Sequence, residues 1–551
     1  MGGAILSQEL FKFNGALASS KIFNHIPSSF AEAYRLALHR FGERNFLKVY
    51  PSAGDCISKT LIEFNLDVER VKSILSPLRA DFEVLVTIAG NTYEHLIFIT
   101  AGLLSNYIIS PINPQEGRER ILSKIEQIGM TCVVATDLSL FDKPKDFQHH
   151  FVSLELPEFS EFKFHADVVR EPLAPFAFIF TSGSTGYSKI VMQSEMGVMS
   201  NVEALIERHN LATQKVIATS LPIFHVNALE FSFLCSLLSG QSLILFEQFN
   251  FVRILHSLEN DRVHIFSGIP QMLKTFLDLA PKINAIPQLK LEYFVSAAAS
   301  LSPELAKSLC KTFKFKIIQG YGLSEAVNFS LTLPTHLTKE RTDFWLTNFS
   351  RPSVGTALKG NQISILSLDG GHELAEGETG EVCIRGFSVM LGYKDQSTDQ
   401  VFANDFLHTG DRGFFHECDQ TKERYYFISS RMKDVIKRFG QTVSLAEIDD
   451  LILKWSPPGL LAIAVPFENH FSGEEIGVVF SSKATADEVS SLQNFLLNEV
   501  PAFMRPRVLI PSDLSLTTAS GKPKRWAFVQ LFDAYKKQFL VEAPVLQNSQ
   551  S

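Results

Sequence analysis

A run of hydroxyl side chains and glycines that ends in a lysine is the part of this sequence best suited to hold phosphate. It follows an apolar stretch and reads Thr181-Ser182-Gly183-Ser184-Thr185-Gly186-Tyr187-Ser188-Lys189. Glycines let backbone amides approach an anion, hydroxyls add hydrogen-bond donors, and the lysine adds positive charge. The Gly-x-x-x-x-Gly-Lys-Ser/Thr spacing of a P-loop is absent. The segment therefore predicts a nucleotide-phosphate loop of another kind, with a Ser/Thr-rich surface turn as the alternative.

Two later segments carry groups that suit the rest of a nucleotide. An aromatic ring can stack on adenine, and a carboxylate can hold Mg²⁺ against the phosphates. Both groups occur in the segment Gln319-Gly320-Tyr321-Gly322-Leu323-Ser324-Glu325. The segment Leu407-His408-Thr409-Gly410-Asp411 has a carboxylate after a turn, where it can accept hydrogen bonds from ribose hydroxyls. Each segment alone also fits a strand-end turn with a solvated acidic side chain.

The bulk properties are those of a globular protein with more than one domain. The chain has 551 residues, of which 45% are hydrophobic and 20% charged. The formal net charge of −8, without a basic run, argues against nucleic-acid binding. The six cysteines lack the close spacings of zinc sites and redox pairs, and the N-terminus lacks a signal-peptide pattern. We therefore expect a cytoplasmic protein.

The segments that must position these groups alternate between short β-branched or aromatic runs and longer helical stretches. The predicted strands are 82–89, 131–135, 176–180, 241–246, 263–266, 293–295 and 315–318. Helices are predicted at 117–128 and 303–312, and Asn91 with Glu94 predicts a helix cap after the first strand. The alternation implies mostly parallel sheets covered on both faces. The apolar stretch 96–112 is too short for a membrane span and predicts a buried helix that runs into a strand.

The second half of the chain has a different pattern. From about residue 350, short alternating runs broken by glycine, as in 360–368 and 380–385, predict a smaller β-rich subdomain. Residues 429–434 are predicted to be a linker, followed by a compact α+β unit of about a hundred residues. We therefore divide the chain into an N-terminal domain, 1–432, and a C-terminal domain, 433–551.

Five more segments accompany the three described first: Leu221-Pro222-Ile223-Phe224-His225, Ser267-Gly268-Ile269-Pro270, Gly380-Glu381 through Arg385-Gly386 to Gly392-Tyr393, Lys433-Asp434-Val435-Ile436-Lys437 with Gly440, and Ser520-Gly521-Lys522. In this order the set resembles the adenylate-forming superfamily of acyl-CoA synthetases, peptide-synthetase adenylation domains and beetle luciferases. The resemblance covers nearly the whole chain. The sequence departs from the superfamily pattern after the phosphate loop, where Ser188 and Ile190 replace Pro and Gly and Glu195 replaces His.

The resemblance implies an α/β fold: a large N-terminal domain with two helix-covered, mostly parallel sheets and a small β-rich subdomain, followed by a mobile α+β C-terminal domain. It also implies an ATP- and Mg²⁺-dependent ligase. A small-molecule carboxylic acid would be activated as its acyl-adenylate with release of pyrophosphate. The acyl group would then pass to the thiol of coenzyme A. An α-amino acid is disfavoured as substrate because His225 stands where peptide synthetases carry an Asp.

Residue roles carry over from the resemblance position by position. The nucleotide would be bound by Thr181, Ser182, Gly183, Ser184, Thr185, Gly186, Lys189, Gly320, Tyr321, Gly322, Ser324, Asp411 and Arg431. Tyr321 would lie on adenine, Asp411 would bind the ribose, and Glu325 would hold magnesium. The catalytic residues would be Lys522, Glu325 and His225. Lys522, on a loop of the C-terminal domain, would neutralise charge as the carboxylate attacks the α-phosphorus.

The resemblance further implies a domain rotation and an acid pocket. The hinge corresponds to Lys433, and residues near Lys437 and Gly440 would guide the incoming thiol. The acid pocket corresponds to His225, Asn227, Ser296, Ala297 and Ala298. Alanine methyls in place of glycine hydrogens narrow the pocket floor. We therefore expect a small or medium acid, aliphatic or aryl, and not a very long chain.

Three alternatives stay open at this point. A stand-alone adenylation enzyme would load a carrier protein's phosphopantetheine instead of free coenzyme A. A catalytically silent nucleotide-binding relative is a second alternative, although the presence of Lys522, Glu325, Asp411 and Arg431 argues against it. A luciferase-type oxygenation is the third, and no residue separates it from the ligases.

Overall fold

The computed structural model describes residues 29–138, 141, 149–154, 166–181, 188–212, 214–369, 371–399, 401–438, 441–455, 460–518, 522–540 and 545–546. Within these ranges the strands form four sheets, of nine, seven, five and six strands. The strands, numbered along the chain, are β1 Asn45–Tyr50, β2 Ile57–Thr60, β3 Val84–Ile88, β4 Ile108–Ile112, β5 Thr131–Ala135, β6 His150–Ser153, β7 Pro175–Thr181, β8 Lys189–Ser194, β9 Val216–Thr219, β10 Ser242–Phe246, β11 Ile265–Gly268, β12 Tyr293–Ser296, β13 Lys316–Gly322, β14 Phe329–Thr332, β15 Thr356–Ala357, β16 Asn361–Leu366, β17 Gly380–Gly386, β18 Gly392–Tyr393, β19 Phe402–Ala403, β20 Phe406–Glu417, β21 Arg424–Arg431, β22 Val435–Arg438, β23 Gln441–Ser444, β24 Ala462–Asn469, β25 Gly473–Ser481, β26 Val508–Ser512 and β27 Val545–Leu546.

Helices connect and cover these strands. The α-helices are Phe30–Phe41, Leu61–Leu78, Tyr93–Leu104, Arg118–Ile128, Glu195–Arg208, Cys235–Ser239, Phe251–Asn260, Pro270–Asp278, Ala280–Asn284, Pro303–Thr312, Lys339–Thr347, Leu445–Trp455 and Ala486–Asn498. A π-helix spans Asn227–Leu234, and 3₁₀ helices span Ser324–Ala326, Met432–Asp434, Arg525–Ala527 and Val529–Tyr535. Local sequence explains many of the starts. Ser29, Thr60 and Thr485 each form a capping box with a glutamate three residues later.

The two large sheets are mostly parallel. The nine-stranded sheet has the order β15-β14-β13-β12-β11-β9-β10-β1-β2, with parallel pairs from β13 to β1 and antiparallel strands at both edges. The seven-stranded sheet has the order β18-β8-β7-β4-β3-β5-β6, and only its β8 and β18 pairs are antiparallel. Strands β3 and β5 are buried along their whole length, as parallel strands under helices must be. The predicted α/β class is confirmed.

The later sheets are smaller. The pairs among β16, β17, β19, β20 and β21 are all antiparallel, which confirms the β-rich subdomain. Strands β22 to β27 form the last sheet, which packs with helices 445–455 and 486–498. The predicted linker 429–434 is instead the end of β21 and a 3₁₀ turn. Two hydrophobic clusters lie in this last part, and Ile436 is their first buried residue along the chain. Phe427 is the last buried residue of the clusters in the preceding part. The domain boundary at 432/433 stays a prediction.

The strands predicted between residues 80 and 325 are confirmed as β3, β5, β7, β10, β11, β12 and β13. The predicted cap at Asn91 is wrong, because Thr92 caps the helix Tyr93–Leu104. Asn91 is buried, and its amide donates to the carbonyls of Leu221 and Phe246 at 2.9 and 3.0 Å. A tertiary contact has therefore taken the side chain that the local pattern assigned to a cap. The stretch 96–112 is a buried helix followed by β4, as predicted. Among the described residues, no helix has the length and apolar character of a membrane span.

Gly355 provides a test of this packing. Its φ is +92°, and a Cβ there would lie 2.1 Å from the carbonyl carbon of Thr332. We expect Gly355→Ala to lower the free energy of unfolding by roughly 2 kcal/mol or more, because backbone strain and a backbone clash act together. Gly54→Ala is the control, since Gly54 has φ +86° but open space around it. Equal losses of stability in denaturant unfolding of the two variants would contradict the packing argument.

Candidate functional site

A tyrosine and an aspartate from distant segments meet in the structure. Tyr321 Oη donates to Asp411 Oδ2 at 2.7 Å, and Arg431 Nε lies 3.1 Å from Asp411 Oδ1. Tyr321 lies near the end of β13, while Asp411 and Arg431 face each other across β20 and β21. Burial, helped by Asp411, raises the pKa of Tyr321 well above its ordinary value, so the phenol keeps its proton. Three residues predicted to bind the nucleotide are thus in contact.

The glycines on either side of Tyr321 allow β14 to pack closely on β13. A Cβ on Gly322 would lie 1.5 Å from the carbonyl oxygen of Asn328, and one on Gly320 would lie 3.0 Å from the ring of Phe329. A larger residue at position 322 cannot fit unless the backbone moves. These glycines therefore set the distance between the strands that frame the site.

Glu325 lies in the 3₁₀ turn that follows β13, and its carboxylate is held by Tyr393. Tyr393 Oη donates to Glu325 Oε1 at 3.0 Å, and the Met390 N–H donates to the Glu325 carbonyl at 2.8 Å. The second carboxylate oxygen has no hydrogen bond to the described residues. Because Mg²⁺ prefers carboxylate oxygens as ligands, Glu325 fits the predicted metal-binding role. Ser324 is the first residue of the same turn.

Thr181 and Lys189 form a cross-strand pair at the base of the hairpin between β7 and β8. Lys189 Nζ lies 4.5 Å from the centre of the Tyr393 ring. Lys189 and Glu325 therefore contact the same tyrosine, one at its ring and one at its hydroxyl. The loop residues between the paired strands lie outside the described residues: Ser182, Gly183, Ser184, Thr185 and Gly186.

Lys522 reaches the same charged groups from the C-terminal part of the chain. The Thr518 N–H donates to the Lys522 carbonyl at 2.8 Å, and the Lys522 N–H donates to Thr518 Oγ1 at 3.0 Å. Burial lowers the pKa of Lys522, and Arg431 lowers it further, whereas Asp411 and Glu325 raise it. The charge of Lys522 therefore interacts with residues of other segments: Glu325, Asp411 and Arg431.

His225 lies beside two lysines. Burial lowers the pKa of His225 to about 4, and the charges of Lys522 and Lys124 act in the same direction. The imidazole is therefore neutral near pH 7. Its Nε2 is buried without a hydrogen bond to the part of the chain that the structure describes.

The other predicted pocket residues lie at strand and helix ends. Asn227 begins the π-helix, and its Oδ1 accepts a hydrogen bond from Ser267 Oγ at 3.2 Å. Ser296 and Ala297 lie at the end of β12, and Ala298 has φ +67°, a conformation that favours glycine. Ser267 is paired with the residue before Ser296, so strand alternation puts Ser267 and Ser296 on opposite faces of the sheet. The predicted role of these residues in an acid pocket stays a prediction.

The predicted hinge and thiol-side residues follow β21. The backbone of Lys433 lies in the turn Met432–Asp434, and its side chain is not among the parts that the structure describes. Lys437 is exposed on β22, and its backbone N–H donates to Glu474 Oε2 at 2.7 Å. Gly440 lies outside the described residues.

Three residues at the site were not among those predicted: Tyr393, Gln193 and Lys124. Tyr393 had a signal, since it belongs to the Gly392-Tyr393 segment. Lys124 had none, because a helix lysine is usually solvated. Lys124 is only 6% exposed, and its Nζ lies 2.6 Å from Glu116 Oε1. The same Nζ lies 4.9 Å from the ring centre of Phe180, the residue directly before Thr181.

A cluster of Glu381, Cys383 and His408 resembles a metal site, with its donor atoms within 4.8 Å of one another. Hydrogen bonds already account for it. Glu381 lies 2.8 Å from His408 Nδ1 and accepts the Gly410 N–H at 2.9 Å. Burial raises the pKa of Cys383, so its thiol stays protonated. These bonds hold the turn that carries Asp411.

The C-terminal part of the chain contacts the preceding part at an ion pair and at a cation–ring contact. Arg351 forms an ion pair with Asp450 of the helix 445–455. The Arg120 guanidinium lies 6.0 Å from the ring centre of Trp526, close in sequence to Lys522. Both contacts join residues on opposite sides of the turn at 432–434.

The fold brings together carboxylates at strand ends, a lysine at a hairpin and a lysine from the last part of the chain. Such a convergence of charged groups marks a candidate active site. The family model described as AMP-binding enzyme matches residues 39–394. This chain belongs to the AMP-binding enzyme family. The resemblance to the adenylate-forming superfamily is thereby confirmed.

Comparisons with individual proteins agree with this family. The chain is 27% identical over 398 residues to a 4-coumarate–CoA ligase of Pinus taeda, covering 70% of each chain. The ATP-bound structure of MatB from Rhodopseudomonas palustris is similar with a TM-score of 0.73 and 22% identity, covering 92% of this chain and 100% of MatB. The structure of McyG A-PCP complexed with phenylalanyl-adenylate has a TM-score of 0.80 and 17% identity, covering 93% and 98%. At these identities the structural likeness establishes the fold.

The lowered pKa of Lys522 leads to a stability prediction. Because the folded protein binds this proton less tightly than the unfolded chain, the charged lysine opposes folding at every pH below its folded pKa. We expect Lys522→Met to leave the melting temperature at pH 7 unchanged or higher, as measured by differential scanning calorimetry. A clear fall in melting temperature would show that the charge instead stabilises this arrangement.

Proposed function

We propose that this protein activates a carboxylic acid as its acyl-adenylate, using ATP and Mg²⁺ and releasing pyrophosphate, and then transfers the acyl group to a thiol. The position of Lys522 carries this proposal. The residue belongs to the C-terminal part of the chain, yet its pKa depends on Arg431, Asp411 and Glu325. Membership in the AMP-binding enzyme family supports a nucleotide as the ligand that these groups share.

In the first half-reaction an oxygen of the acid attacks the α-phosphorus of ATP, and the bond to the β-phosphate oxygen breaks. Tyr321 and Asp411 hold the adenosine, and the Lys522 ammonium neutralises the charge that builds up on the reacting oxygens. Neutral His225 provides a ring nitrogen beside the acid without adding a competing charge. Magnesium, held by Glu325, would neutralise the departing pyrophosphate.

In the second half-reaction a thiol attacks the acyl carbon, and AMP leaves. We assign the hinge for this step to Lys433. On one side of it, Arg431 pairs with Asp411 at 3.1 Å, and on the other side Asp434 pairs with Arg525 at 3.2 Å. The chain is thus tied to the N-terminal domain at 431 and to the C-terminal domain at 434. A backbone change between these ties would withdraw Lys522 and expose the face that carries Lys437 and Gly440.

Coenzyme A is the thiol we favour, because the curated relative from Pinus taeda is a CoA ligase. The alternative is a carrier-protein phosphopantetheine, and the likeness to McyG A-PCP supports keeping it. For the acid, 4-coumarate is the first candidate on the same grounds. Small or medium aliphatic acids come next, since Ala297 and Ala298 narrow the predicted pocket floor.

The test is pyrophosphate release by the full chain with ATP, Mg²⁺ and a panel of acids, with and without coenzyme A. The panel contains 4-coumarate, C4 to C10 acids, a C16 acid and phenylalanine. We expect acid-dependent release for an aryl or medium-chain acid, and an acyl-CoA product detectable by mass spectrometry. A higher kcat/KM for the C16 acid would contradict the expected pocket size. A folded protein that releases no pyrophosphate with any acid would favour the silent-relative alternative.

Lys522→Ala separates the two half-reactions. Because the lysine acts only while the carboxylate attacks phosphorus, we expect the variant to lose acyl-adenylate formation by a factor of about 100 or more. Thioester synthesis from a preformed acyl-adenylate should change by less than about threefold, since the lysine has been withdrawn by then. Both rates are measured on the same preparation. An equal loss in both half-reactions would refute the assignment of Lys522 to the first.

A further inference from the structure

The turn that carries Glu325 has a strained backbone. Val327 has φ +64° and ψ −76°, and the Asn328 N–H donates to the Ala326 carbonyl at 2.8 Å. These features define a γ-turn with positive φ, a conformation that is rare and unfavourable, above all for a β-branched residue. Val327 is fully buried. Its surroundings must therefore hold the turn in place.

Gln193 is the side chain that spans this turn. It lies in β8 and has no exposed surface. Its Nε2 donates to the Ser324 carbonyl at 3.1 Å and to the Val327 carbonyl at 3.0 Å. The two carbonyls lie on either side of Glu325 in the chain, so one amide group ties the beginning of the turn to its end. The Met390 N–H holds the Glu325 carbonyl in addition.

On the basis of the function proposed above, we propose that Gln193 is a positioning residue for the magnesium-binding carboxylate. It holds the strained turn from Ser324 to Val327, and the turn sets the direction of the Glu325 side chain. Tyr393 then orients the carboxylate itself through Oε1. Residues that orient a metal ligand in this way commonly change metal affinity when they are replaced.

The position favours an uncharged donor, which the Gln193 Nε2 supplies, although its Oε1 is buried without a hydrogen bond to the described residues. A primary amide offers two N–H donors without a charge, and two carbonyl acceptors lie in front of Gln193. Leucine or methionine would leave both carbonyls without this donor, and lysine would bring a charge into a buried place. Glutamate would put an acid next to Glu230, which is itself buried. Burial raises the pKa of Glu230 well above its ordinary value, with Gln193 acting on it in the opposite direction.

The variant Gln193→Met tests the proposal, because it keeps the side-chain volume and removes both donors. Hydrogen–deuterium exchange of the free protein is the first readout. The Val327 and Asn328 amides both donate within the turn. We expect these amides to exchange at least about tenfold faster in the variant. In the wild type, opening of the turn must break the two Gln193 hydrogen bonds, whereas in the variant these bonds are absent and opening costs less free energy.

Asn201→Leu is the matched control. Asn201 is 2% exposed, and its Nδ2 donates to the Phe329 carbonyl at 2.7 Å, only two residues beyond Val327. The Asn201→Leu variant loses a buried amide–carbonyl hydrogen bond, as Gln193→Met does. The hydrogen bond lost in Asn201→Leu does not span the turn. We expect its effect on exchange to be confined to β14 and the helix Glu195–Arg208.

Metal dependence is the second readout. In Gln193→Met we expect the Mg²⁺ concentration for half-maximal pyrophosphate release to rise about tenfold or more. Acyl transfer from preformed acyl-adenylate should change by less than about twofold, whereas a general loss of structure would lower both rates. In Asn201→Leu the Mg²⁺ requirement should equal that of the wild type.

Two results would overturn the proposal: unchanged exchange of the turn in Gln193→Met, or an equal rise of the Mg²⁺ requirement in Asn201→Leu. If Gln193→Met does not fold, Gln193→Asn takes its place, because its shorter side chain keeps an amide but cannot reach both carbonyls. Failure of the proposed function would be seen separately, as wild-type protein that releases no pyrophosphate. The exchange measurement would still decide whether Gln193 holds the turn.

Discussion

The central interaction of this structure joins the charge of Lys522, from the C-terminal part of the chain, to those of Arg431, Asp411 and Glu325. Burial and the neighbouring Arg431 both disfavour the charge of Lys522, while Asp411 and Glu325 favour it. Electrostatic interactions are strong where water is excluded, so small displacements matter. The Arg351–Asp450 ion pair and the Arg120–Trp526 contact supply the interactions that hold the C-terminal part in this position. A charge that burial disfavours costs little to withdraw, which suits the role in one half-reaction that we propose for Lys522.

The carboxylates that face this lysine are each held by a tyrosine. Tyr321 donates to Asp411 and Tyr393 donates to Glu325, at 2.7 and 3.0 Å. A buried carboxylate without donors is costly, and a phenol supplies one hydrogen bond without adding charge. Arg431 holds the second oxygen of Asp411, whereas only one oxygen of Glu325 is bonded within the described residues. The ring of Tyr393 also contacts the Lys189 ammonium group, which lies over it.

Close approach of the backbone is the third requirement of this arrangement. Gly322 lies where a Cβ would overlap the Asn328 carbonyl, and Val327 adopts a conformation that its side chain disfavours. Both features belong to the connection between β13 and β14, which carries Glu325. The strain is concentrated at the place where the proposed chemistry needs a defined geometry. The surrounding contacts, Gln193 among them, keep it there.

The sequence by itself determined the alternation of strands and helices, because β-branched runs and helical periodicity act over a few neighbouring residues. It also singled out Lys189, Glu325 and Asp411, since polar groups that follow apolar strands stand out locally. Lys522 was singled out only by the resemblance of the whole set of segments to a known family. Local pattern could not assign Asn91, whose amide is taken by carbonyls more than a hundred residues away. Nor could it find Gln193 or Lys124, which look like an ordinary strand residue and an ordinary helix residue. Which distant segments meet, and which lysine interacts with their charges, was decided only by how the sheets pack and how the last part of the chain lies against them.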